Sequence, residues 1–125
     1  MKHTVRLKGV IVGHSELEHI EPGTGRAWGS FRPGLGYELV QPVFALFAEA
    51  APRNGTRDNA KLKRYYAARD ALGLSLEDAA GQPIRTTTIH IADYDDASSD
   101  APELEVLISD DGYWKRRLES SARAN

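Results

Sequence analysis

Segments with the two-residue period of a half-buried strand lie toward both ends of this 125-residue chain, and segments with a helical period lie between them. That order is not the regular alternation of strand and helix that builds a parallel doubly wound sheet; it directs the chain to an α+β domain. At the start, Val5, Leu7 and Ile11 recur with Gly9 in phase, while Thr4, Arg6 and Lys8 take the other face. Val10 and Val12 then turn the second face apolar, so the period predicts one strand running from Val5 toward Leu17. Turn chemistry at Glu21-Pro22-Gly23-Thr24-Gly25 reverses the chain, and Ala27 to Phe31 reads as a second strand in an antiparallel hairpin with the first.

Between Tyr37 and Ala50, the residues Leu39, Val43, Leu46, Phe47 and Ala50 form one stripe, which predicts a deeply packed helix with Pro42 in its first turn. A second helix follows, capped by Thr56 or Asp58, with Leu62, Tyr65, Ala68 and Leu72 on one face and Gly73 at the stop. Leu74 to Leu76 and Ile84 to Tyr94 read as a hairpin with Ile89 and Ile91 inward, and Leu104, Val106 and Ile108 as a last strand. Asp110 or Asp111 then caps a short C-terminal helix carrying Trp114 and Leu118. The expected fold is a mainly antiparallel sheet of about five strands with two main helices packed on one face. A single domain over residues 1–119, followed by a frayed tail at 120–125, accounts for the whole chain.

Hydrophobic residues at 41% and charged residues at 27% suit a chain that buries a core. With no cysteine, disulfides and thiol catalysis are excluded, and packing alone must hold the fold. No long apolar run precedes or interrupts the domain, so the expectation is a cytoplasmic protein without a membrane segment. An excess of arginine over lysine together with abundant alanine suggests a bacterial source. The formal charge of −2 supplies no net field toward DNA, RNA or an anionic membrane.

The chemistry-bearing stretch is Gly13-His14-Ser15-Glu16-Leu17-Glu18-His19. An apolar strand followed by Gly-His-Ser resembles the nucleophile elbow of the α/β-hydrolases, but Leu17 stands where that motif has its second glycine. Pro22-Gly23 also stops the segment before a long helix can follow, and the wide parallel sheet of that family is out of reach here. As metal ligands, His14, Glu16 and Glu18 share a face on a strand while His19 points away, and no zinc spacing appears. His90 could complete a site across strands, so a small hydrolase or metal-dependent enzyme would use His14, Ser15, Glu16, Glu18 and His90.

Gly23 to Gly29 lacks the spacing of a phosphate loop, and Asp93, Asp95, Asp96 and Asp100 lack the pattern of a calcium loop, so no metal and no cofactor is expected. Arg57, Lys61, Lys63, Arg64 and Arg69 around Tyr65 and Tyr66 form a basic and aromatic helix, the alternative being nucleic-acid binding; the slightly acidic total argues against it. Trp28, Phe31 and Arg32 form the partner-binding candidate, because Trp28 and Phe31 fall on opposite faces of their strand and one ring must point away from the helices. The expectation is a protein-protein interaction module, accessory, inhibitor or immunity-type, that binds an unidentified protein partner without catalysis. Exposed sheet edges leave room for a homodimer.

Overall fold

The computed structural model describes residues 1–94 and 101–124. Its strands are β1 (His3–Leu7), β2 (Val10–Ser15), β3 (His19–Glu21), β4 (Arg26–Pro33), β5 (Leu74–Glu77), β6 (Pro83–Ile84), β7 (Thr86–Ala92) and β8 (Glu103–Ile108). The α-helices are α1 (Gln41–Ala50), α2 (Asn59–Leu72) and α3 (Asp111–Ala124). The domain is α+β and the sheet is antiparallel throughout, but it has eight strands where the sequence led us to expect about five.

Two splits account for two of the three extra strands, and the third is the short β3, which follows the first of them after Ser15. The expected strand from Val5 to Leu17 is broken at Lys8-Gly9, where Lys8 adopts φ 56 and the chain folds back so that Leu7 pairs with Val10. Gly9, which fits the period of a continuous strand, belongs to a two-residue hairpin turn. The expected strand from Ile84 is also split: β6 pairs with β5, and after Arg85 the chain enters β7, which pairs with β8.

The order β6-β5-β1-β2-β4-β8-β7 places two consecutive strands, β6 and β7, at opposite ends of the path. The sheet therefore curls until β5 and β7 approach each other, and it is nearly barrel-shaped. Val5, Val12, Phe31, Leu76, Ile91, Leu104 and Val106 are buried in one core, each at 1% exposure or less. Ile89 and Ile91 are buried as their alternation predicts.

Helices α1 and α2 pack on each other and against β7, adding Phe44 and Tyr65 to the core. Pro42 lies in the first turn of α1, Asp58 caps α2 through Lys61 N at 3.1 Å, and Gly73 closes α2 at φ 67. Residues Leu35–Leu39 form a separate 3-10 turn ahead of α1, so Leu39 leaves the expected apolar stripe and stands exposed. The third helix, predicted as short, runs for 14 residues, with Trp114 buried and its indole N–H donating to Ile108 O at 3.1 Å. Among the described residues no helix is long and apolar enough to cross a membrane. Asp95, Asp96 and Asp100 lie outside the described residues.

Candidate functional site

The Gly13–His19 stretch is a β-bulge. Ser15 pairs with Phe31 and His19 pairs with Trp28, so three residues of one strand span the space of two on β4. Ser15 is 1% exposed, and its Oγ accepts the Leu17 N–H at 3.0 Å; Leu17 takes φ 45. The Glu18 carboxylate accepts the Ser30 N–H at 3.1 Å, filling the gap that the extra residue opens. The slip in register lets Leu17 and Ile20 both join the core while His19 turns onto Trp28.

Helix α3 pins the bulge from the other side. Arg117 donates to Leu17 O at 2.6 Å and to the Tyr113 hydroxyl at 2.8 Å, and that hydroxyl meets His3 Nε2 at 2.8 Å. The hydroxyl thus ties His3 to Arg117 through Nε2, while the other ring nitrogen, Nδ1, is buried without a hydrogen-bond partner among the described residues. Burial, with Arg117 nearby, pushes the His3 pKa down to about 4.

The remaining enzyme candidates do not converge. His14 Nδ1 meets Thr4 Oγ1 at 3.1 Å, and burial followed by Lys2 and Arg32 lowers its pKa. The Met1 amino group at 2.7 Å binds Glu16 and holds its pKa low, with Arg32 at 3.5 Å. His90 belongs to β7, and β8 and β4 separate it from His14 on β2. Three strand spacings are about 14 Å, before counting an offset of some four residues along β4. Among the described residues no three His, Asp or Glu side chains come together as a metal set.

His90 instead sits in an aromatic nest. Phe47 meets its ring edge-on at 4.4 Å between centroids, and the Tyr65 hydroxyl is bonded to its Nδ1. Burial pushes its pKa down to about 4 against the opposing pull of Glu105, and burial raises that of Tyr65. Tyr65 is thus core and Arg69 is committed to Asp70 at 3.1 Å, so the basic helix presents less aromatic and cationic surface than its sequence suggests.

The partner-binding candidates divide by face. Phe31 is 1% exposed and packs on Tyr37 in the core, so it offers no contact surface. Trp28 and Arg32 share the outer face of β4. There, pairing aligns His19, Trp28, Glu105 and His90 in one row across β3, β4, β8 and β7. Trp28 stacks on His19 at 5.3 Å, and the Arg26 guanidinium lies 3.9 Å over its ring while bonding Glu105 at 2.6 Å. Beyond Glu105 a cleft of about 540 Å³ opens between this face and the helices, with His90, Glu103 and Glu105 on one side and Phe47 and Tyr66 on the other.

At the other end of β4 lies an apolar patch that periodicity did not identify. Leu35 is 101% exposed and Leu39 61%, and the 3-10 turn carrying them lies on β2 beside Val10 and Ile11, themselves 44% and 37% exposed. The approach is close enough that a Cβ at Gly36 would overlap Ile11 O and Val10 Cγ1. Gly34-Leu35-Gly36 has the composition of a turn, and the apolar character of its surroundings emerges only once β2 and the turn meet. No family model, curated protein or solved structure matches the chain.

Proposed function

We propose that the protein is a protein-protein interaction module of accessory, inhibitor or immunity type, acting without catalysis. Its contact surface is the outer band of β4, from the Val10, Ile11, Leu35 and Leu39 patch past Arg32 and Trp28 to the cleft beside His90. The exposed patch carries this reading. Burying one leucine is worth about 1.5–3 kcal/mol, so a chain that leaves two leucines and two β-branched residues together in water forgoes several kcal/mol that a partner can recover. The polar and aromatic stretch from Arg32 to Trp28 fits the rim of such an interface.

The catalytic alternative needed His14, Ser15, Glu16, Glu18 and His90 around one point, and these side chains are engaged separately. The test is affinity purification of the tagged protein from its host, comparing wild type with Leu35→Ser/Leu39→Ser. The proposal expects a stoichiometric protein partner that is lost from the variant while its melting temperature is kept. Equal recovery by both proteins would count against the patch, and no partner at all would count against the module.

A further inference from the structure

The apolar end of the band carries a charge pattern of its own. Strand β2 lies between β1 and the turn that bears Leu35 and Leu39. Leu7 pairs with Val10 on one side, and on the other the Gly34 N–H donates to Val12 O at 2.7 Å. The patch is therefore flanked by the tip of the β1–β2 hairpin on one side and by the rest of the turn on the other. Lys8 stands at the tip and Glu38 in the turn. Both are exposed, and neither makes an ion pair or a side-chain hydrogen bond among the described residues.

The neighbouring charges are matched, Arg6 by Glu77 at 2.8 Å and Arg32 by Glu16 at 3.5 Å. Lys8 also holds the hairpin turn at φ 56, where glycine or asparagine is the usual choice. The fold thus keeps a long cation at this tip against its backbone preference.

A surface with an apolar centre, a base on one flank and an acid on the other is matched by its own copy turned about a two-fold axis. In that arrangement Lys8 faces Glu38 of the partner subunit, and the leucines of both turns share the centre. A wholly basic or wholly acidic partner would be repelled at one flank. The formal charge of −2 sets little net repulsion between copies. Doubling also suits a small patch, because one contact buries each of its apolar side chains twice.

We propose that two copies of the chain meet at this patch as a symmetric dimer, with Val10, Ile11, Leu35 and Leu39 at the centre and Lys8 paired with Glu38 across it. This inference rests on the interaction reading above and names the partner as a second copy.

Sedimentation equilibrium on the full chain at low salt, from about 1 µM to about 1 mM, reads the association directly. A reversible equilibrium between monomer and dimer is expected. Leu35→Ser/Leu39→Ser should weaken it at least about tenfold while the dilute protein keeps its melting temperature. Lys8→Glu and Glu38→Lys should each weaken it about two- to tenfold, since either change sets like charges face to face at both flanks. Combining the two should restore the association to within about twofold of wild type. A monomer throughout, larger species that grow with concentration, an association indifferent to the leucine changes, or a charge-swapped double variant no better than either single one would overturn the proposal. If the chain stays monomeric while Leu35→Ser/Leu39→Ser still costs a host partner, self-association falls and the interaction module stands. If that variant also keeps its host partner, both fall.

Discussion

Lowering the pH from about 7.5 to about 5 should weaken this fold through two buried imidazoles, before most carboxylates titrate. His3 and His90 both have folded pKa values pushed from 6.5 to about 4, chiefly by burial. The unfolded chain therefore binds these protons first. Their contribution is complete above pH 6.5, falls as the pH drops below it, and levels out near 4. At pH 5 the linkage amounts to about 2 kcal/mol for each ring and about 4 kcal/mol for the pair. Against a total of about 5–15 kcal/mol for a domain of this kind, that is a large loss. Urea denaturation followed by tryptophan fluorescence at both pH values measures it. His90→Phe, which suits the surrounding rings of Phe44, Phe47 and Tyr65, should remove about half of the pH dependence. A stability that stays level between the two pH values, or ring titrations near 6.5 by NMR, would refute the reasoning.

Arg117→Met should cost about 1–3 kcal/mol in urea denaturation, because it leaves Leu17 O and the Tyr113 hydroxyl without their donor; an unchanged midpoint would mean that α3 does not pin the bulge. Gly13→Ala should cost about 1–3 kcal/mol, since its Cβ would overlap the Phe31 ring and Arg32 O across the strand pair; a neutral result would place β2 and β4 further apart. Asp58→Ala should cost about 1 kcal/mol by removing the acceptor for Lys61 N, read as a lower thermal midpoint.

The elements with local signals were legible in the sequence. Asp58 and Gly73 bound α2 because a cap and a left-handed stop are side-chain and backbone properties of single residues. Ile89 and Ile91, like Leu104, Val106 and Ile108, go to the core because strand alternation depends only on parity. What was not legible depends on pairing. Gly9 fits the strand period as well as it fits a turn, so the period alone predicts one strand where the β1–β2 hairpin turns.

The bulge from Ser15 to His19 is set by what β4 offers opposite it, and its polar residues imitated a catalytic motif. Parity on β4 did separate Trp28 from Phe31, and the choice of which ring faces outward had to come from the fold. The row from His19 to His90 needs four strands in register, and no spacing within one segment reveals it. The same holds for the exposed patch, whose members come from β2 and from a turn that the helical period absorbed into α1.

Hydrogen exchange on the purified complex, compared with the free chain, tests the interaction surface most directly. The account predicts added protection at Val10, Ile11 and from Arg32 to Leu39, extending along β4 to Trp28. Protection confined to the α3 surface or to the β5–β6 hairpin, with that band unchanged, would contradict it.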